Sequence, residues 1–113
     1  MLEKQVLRAF VAIPLSDNRL MLYYVLQYEV VADYVNRRTP FRHLHLEKVR
    51  DAQARGELRL AGALNDPPDG ALLVFRSESP AAAENFAQTD PYVLNGLITS
   101  WRVRPWMIVA GEV

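Results

Sequence analysis

Residues 22–31, LYYVLQYEVV, carry aromatic and β-branched side chains with little interruption and predict a strand. ADYVNRR follows as a polar connector with room for one helical turn. From Thr39 the period changes. Thr39-Pro40 offers a helix cap followed by proline at the first helical position, and the helix is predicted to run to about Arg55. Phe41, His45, Val49 and Ala52 then fall on one stripe, with Gly56 as a left-handed stop. ELRLAGAL (57–64) and ALLVFR (71–76) read as two strands of a hairpin across the turn-rich NDPPDG. Ser79-Pro80 repeats the cap-and-proline start before a short helix, AAAENFAQ, and ITSWRVRPWMIV (98–109) reads as the last strand.

The order β-α-β-β-α-β is that of the ferredoxin-like split unit, an α+β fold with a four-stranded antiparallel sheet and both helices on one face. A sheet with one wet face alternates apolar and polar residues. Tyr23 to Leu26, Leu72 to Phe75 and Trp106 to Val109 are instead apolar on both parities. Two helices cover one face only, and a large bare apolar face is uncommon on a monomer. A second copy packed sheet against sheet, as a twofold homodimer, would cover the other. The alternative cover is residues 1–20.

A chain of 113 residues, half of them hydrophobic, suits one domain with a real core. Its formal charge is zero and its Lys and Arg are scattered, so bulk charge attracts no nucleic acid. The absence of cysteine removes thiol chemistry and Cys-based zinc sites. The apolar runs are too short to span a membrane. MLEKQVLRAFVAIPLSDNRL lacks a small-residue cleavage site, and from this we expect a cytoplasmic protein. Met21 directly precedes the first strand, so residues 1–20 read as an appendage, not necessarily native, to a domain spanning 21–113.

The two histidines, His43 and His45, lie in TPFRHLHLEKV. At about 100° per residue they point opposite ways, which disfavours a shared metal. His45 lies in the apolar stripe. His43 falls on the outer side with Glu47 and Arg50. A histidine in an apolar stripe is either a core residue satisfied by backbone or a general acid–base, since imidazole titrates near neutral pH. The orienting candidate is Asp90 in TDPYVLNG, which would hold one ring nitrogen. Asp90 before Pro91 is equally a helix cap, and the two roles are compatible. Arg42, one turn before His45, either grips a carboxylate or reaches solvent. Arg37 and Arg38 are expected in solvent. Tyr23, Tyr24, Tyr28, Tyr92, Trp101 and Trp106 would line an aromatic pocket or pack as core and interface. There is no phosphate-cradling glycine loop, nucleophile elbow or H-E-x-x-H.

The combination of RTPFRHLHL, GELRLAGAL and GALLVFRSESPAAAENFAQTDPYVLNGLITSWRVRPW resembles the YCII-related family from Met21 to about Gly111. The resemblance implies a dimeric α+β barrel of two ferredoxin-like units and a His–Asp active site. The family histidine, in Arg-x-x-His-Leu, corresponds to His45, and the aspartate of Asp-Pro-Tyr to Asp90. Arg42 matches the motif arginine, and Gly56 and Gly62 match the strand glycines. Related activities include chloride elimination from a chlorinated hydroxyquinol, and muconolactone isomerase shares the barrel. The expectation is therefore a lyase or isomerase with neither cofactor nor metal, acting on a small cyclic or carboxylated molecule. His45 and Asp90 would be catalytic, and Arg42 and Tyr92 would bind substrate. The rivals are a non-catalytic ligand-binding or accessory module and a heme-free monooxygenase.

Overall fold

The computed structural model describes residues 20–113. The readings of residues 1–20 as an appendage or as a cover for the sheet lie outside the described residues, apart from Leu20. Strand β1 (Leu22–Val30) leads through a one-turn helix α1 (Tyr34–Arg37) and a 3-10 turn (Thr39–Phe41) into α2 (Arg42–Ala54). Strands β2 (Leu58–Ala63) and β3 (Gly70–Ser77) follow, then α3 (Ala81–Thr89), one-turn α4 (Pro91–Leu94) and β4 (Ile98–Pro105). The four strands pair antiparallel in the order β2-β3-β1-β4, with the α+β topology that the pattern predicts.

The central pair fixes which side is core. Tyr24, Leu26 and Tyr28 of β1 oppose Phe75, Leu73 and Ala71 of β3, and all six are buried. Strand periodicity puts them on one face. Helix α3 closes that face with Ala83, Phe86 and Ala87, spaced to lie on a single helical side. Full burial of a side chain such as Leu26 or Phe75 is worth about 1.5–3 kcal/mol. Helix α2 adds Ala52, with Phe41 and Val49 partly buried, so the predicted stripe does face the sheet.

Helix α2 ends as the sequence indicates. Gly56 has φ +82°, its N–H donates to the Gln53 carbonyl at 2.9 Å, and the Glu57 N–H reaches back to Ala52 at 3.2 Å. This double closure satisfies the last carbonyls. Two boundaries differ from expectation. Thr39 does not cap α2: it opens the 3-10 turn, closed by the Phe41 N–H on Arg38 O at 2.9 Å, and the α-helix starts at Arg42. Strand β4 stops at Pro105, which has no N–H for the ladder. Trp106 makes one further bond to the Tyr23 carbonyl at 2.9 Å, and the apolar stretch after it lies outside the sheet.

The face turned away from the helices is mixed. Leu60 and Leu72 are 58% and 37% exposed. Beside them, Arg102 donates to Gln27 and Ser100 to Glu29, each at 3.0 Å.

Candidate active site

Asp90 joins α3 to α4 in an extended conformation (φ −68°, ψ 125°) and is completely buried. Three donors converge on its carboxylate. The backbone N–H of Tyr92 reaches Oδ1 at 3.0 Å, which makes Asp90 the cap of α4. The Tyr28 hydroxyl donates to Oδ2 at 2.7 Å. His45 Nδ1 lies 2.8 Å from Oδ1. Asp90 is therefore both the helix cap and the histidine partner, two roles the sequence left compatible.

The geometry selects a tautomer. A neutral imidazole carries one N–H, and a carboxylate only accepts, so the proton belongs on Nδ1 and the lone pair on Nε2. The ring is held by packing as well. It stacks on Tyr92 with centroids 3.8 Å apart and planes 6° from parallel, and Phe86 meets it edge-on at 6.4 Å. Only 13% of the His45 side chain is exposed.

The tyrosines differ in function within this cluster. Burial, then the Asp90 charge, pushes the Tyr28 phenol far above its ordinary range, so it remains a donor to the carboxylate. Burial and Tyr34 also raise Tyr92, while the nearby Arg42 and Arg38 oppose the rise. Arg42 faces the Tyr92 hydroxyl without meeting hydrogen-bond geometry, and that hydroxyl has no partner among the described residues. An unsatisfied buried hydroxyl costs about 1–3 kcal/mol.

His45, Tyr28, Tyr92, Tyr34, Arg38 and Arg42 border a cavity of about 280 Å³ between α2 and the sheet. Its opposite side is made by Ala61, Gly62, Ala63 and Ala71, whose small side chains leave it open. Arg42 is solvent-exposed and borders this cavity. Arg38, expected in solvent, is instead half-buried, with its guanidinium 5.0 Å from the Tyr34 ring centroid. The one-turn α1 and the tight turn after it swing Arg38 inward, which a helix running from Thr39 would not do. Arg37 is exposed, as is His43, which makes no hydrogen bond to Glu47.

Of the six aromatics considered for a pocket, Tyr28 and Tyr92 border this one. Tyr24 is core, Trp101 packs against the core, and Tyr23 and Trp106 lie elsewhere. Tyr34 was missed. The Tyr28–Asp90 bond was also missed, though a signal existed: Tyr28 shares parity with Tyr24 and Leu26, and an inward tyrosine needs a partner for its hydroxyl. Among the described residues, no three or more His, Asp or Glu side chains gather as a metal cluster. No described helix is long and apolar enough to cross a membrane.

Fold and site together define an α+β domain of the ferredoxin-like kind, with a His–Asp pair under its first long helix. The YCII-related domain model matches residues 21–107, and the chain belongs to the YCII-related family. It is 30% identical over 94 residues to protein YciI of Escherichia coli O6:H1, covering 75% of this chain and 96% of that protein. An uncharacterised protein of Haemophilus influenzae is 29% identical over 94 residues with the same coverage. Among solved structures, 5-chloro-2-hydroxyhydroquinone dehydrochlorinase (TftG) from Burkholderia phenoliruptrix AC1100, in complex with 2,5-dihydroxybenzoquinone, superposes with a TM-score of 0.65. That match covers 76% of this chain and 94% of the other at 17% identity, and it establishes the shared fold.

Proposed function

We propose that this protein is a small-molecule enzyme of the lyase or isomerase type, working without a cofactor through proton transfer by His45. The observation that carries this reading is the 2.8 Å contact of Nδ1 with buried Asp90, which leaves Nε2 as the basic nitrogen of a ring that borders the cavity. Nε2 takes a proton from substrate carbon and returns it elsewhere, or keeps it while an anion such as chloride departs. Asp90 holds the tautomer and steadies the imidazolium. Arg42 anchors an anionic group, and Tyr92 forms part of the binding wall. The dehydrochlorinase that shares the fold supports this class of chemistry. The reading extends to a homodimer in the cytoplasm, joined through the sheet face that carries Leu60 and Leu72.

The experiment is a turnover screen with chlorinated hydroxyquinols and unsaturated lactones. His45→Ala and Asp90→Asn are expected to fold, by circular dichroism, and to lose turnover. Wild-type turnover in either variant would remove the dyad from the mechanism. The bond from Tyr92 N–H to Asp90 favours one rival, a non-catalytic ligand-binding module in which Asp90 is only a cap. In that case no compound is turned over.

A further inference from the structure

The Tyr92 hydroxyl is a buried polar group at this cavity with no hydrogen-bond partner among the described residues. Tyr92 is 1% exposed. Buried hydroxyls are paired in the large majority of cases, so an orphan calls for a ligand or another explanation. Poor placement does not explain it, because the ring is fixed by the face of His45 and the edge of Tyr34, whose centroid lies 5.8 Å away. Nor does ionisation relieve it: burial raises its pKa, so at neutral pH it remains an O–H donor.

Two cations attend this donor. Arg42 and Arg38 both act on the hydroxyl electrostatically, and Arg38 is steadied by its position over Tyr34. Among the described residues neither guanidinium has a carboxylate within ion-pair range. A buried O–H donor without an internal partner and two guanidiniums without a carboxylate thus border one cavity. Their complement is an oxygen bearing negative charge.

We propose that this corner of the cavity is an oxyanion subsite, in which the Tyr92 hydroxyl and the guanidiniums of Arg38 and Arg42 hold the charged oxygen of a small planar molecule. The proposal rests on the proton-transfer reading of His45 and supplies its substrate class. His45 and Tyr92 stack and border the same cavity, so one flat molecule can lie against both residues. The substrates are small carbonyl compounds or hydroxylated rings in which loss of a proton from carbon leaves charge on oxygen. The Nε2 lone pair takes the proton, the C–H electrons form a carbon–carbon double bond, and the carbonyl pair moves onto oxygen. Neutral substrate and neutral imidazole become enolate and imidazolium. Reprotonation at another carbon isomerises the substrate. Loss of an anion from the adjoining carbon re-forms the carbonyl, and His45 releases its proton to solvent. A cavity of about 280 Å³ with an alanine and glycine wall suits a single ring.

The test measures binding of three flat probes to the full chain: benzoate, 4-nitrophenol and the neutral benzamide. Benzoate and 4-nitrophenolate are expected to bind at least about tenfold tighter than benzamide. Tyr92→Phe and Arg42→Gln should each weaken anion binding severalfold. The unliganded Tyr92→Phe protein should melt at the same temperature or higher, since its hydroxyl gives up no internal bond. Preference for benzoate alone marks a permanent carboxylate as the ligand. Ionisation of bound 4-nitrophenol below its free pKa, read by absorbance, marks charge developing on a ring oxygen. Equal binding of benzamide, unchanged anion binding by Tyr92→Phe, or a lowered melting temperature in that variant would each overturn the subsite. His45→Gln separates the two readings. Anion preference in the wild type with full turnover in His45→Gln removes the proton-transfer role and leaves the subsite. Lost turnover without any anion preference does the reverse.

Discussion

His45 lies flat on Tyr92, with ring centroids 3.8 Å apart and planes 6° from parallel, and both residues meet the same oxygen of Asp90. The Tyr92 backbone N–H and His45 Nδ1 converge on Oδ1 at 3.0 and 2.8 Å. One short segment, Asp90 to Tyr92, therefore sets both the plane of the imidazole and its hydrogen bond. The cap that starts α4 also aligns the imidazole, so the pairing of helix start and site follows from the Asp-Pro-Tyr sequence.

Asp90→Asn tests that coupling. The amide retains one acceptor oxygen and turns an NH₂ toward a group that was donating. We expect a stability loss of about 1–3 kcal/mol by urea denaturation. With the amide oxygen in the Oδ1 position the Tyr92 N–H and His45 Nδ1–H keep their acceptor and the NH₂ falls on the Tyr28 hydroxyl, so the ¹⁵N shifts of the His45 ring should show the proton still on Nδ1. A proton moved to Nε2 would show the NH₂ turned against the imidazole instead.

Tyr28 gives the protein an alkaline weakness. Its phenol titrates above the ordinary value of 10.0 in the folded chain, so the folded state retains a proton that the unfolded state releases. This stability is fully present below about pH 10 and drains away as pH rises, by up to about 1.4 kcal/mol per unit. Tyr28→Phe should cost about 1.5–3 kcal/mol at neutral pH, because it removes a bond to a carboxylate. It should also flatten the alkaline slope by one proton. Tyr92, also raised, retains its own smaller part. Denaturant titrations across roughly pH 8 to 11 check both expectations, and an unchanged slope would contradict the first.

Much of this site was legible in the chain. The 3.6 period places His45 with Phe41, Val49 and Ala52, and the Asp-Pro pair marks a cap, so both partners could be named. Their meeting could not, because 45 residues separate them and only the packing of α2 on α4 closes the gap. Arg38 was misjudged because the 3-10 turn at Thr39–Phe41 reorients the chain, and Thr-Pro fits a helix start equally well. The end of β4 was readable in principle: Pro105 removes a ladder donor, and the apolar run beyond it concealed the stop.

Gly56→Ala should destabilise the chain by about 1–2 kcal/mol without disturbing the site. Gly56 sits at φ +82°, and a Cβ there would meet nothing within 4 Å. The penalty is therefore conformational, from an L-residue in the left-handed region, and Gly56→Asn should cost less. Thermal melts rank the three proteins. Equal melting temperatures would show that the double closure of α2 does not need glycine.

Ala61→Leu should close the cavity while sparing the fold. Ala61 pairs with core residue Leu73 across the ladder, yet it is exposed and borders the opening. A longer side chain there has solvent and cavity to enter, so stability should change by no more than about 0.5 kcal/mol. Probe binding should fall at least about tenfold, by about 1.4 kcal/mol. Calorimetry on both proteins decides; undiminished binding would put the ligand elsewhere.

Leu72 tests the assembly. It opposes Gln27 on one side and Gly62 on the other, with its side chain on the face away from the helices, and is 37% exposed in the single chain. An arginine there can extend into water in an isolated protomer and should cost it little. Across a twofold sheet-to-sheet contact the same change puts two like charges beside each other in an apolar layer, where each must be desolvated without a partner. Light scattering should therefore report a dimer for the wild-type chain and a folded monomer for Leu72→Arg. A monomeric wild type would end the homodimer proposal. A dimeric variant would move the contact to another surface.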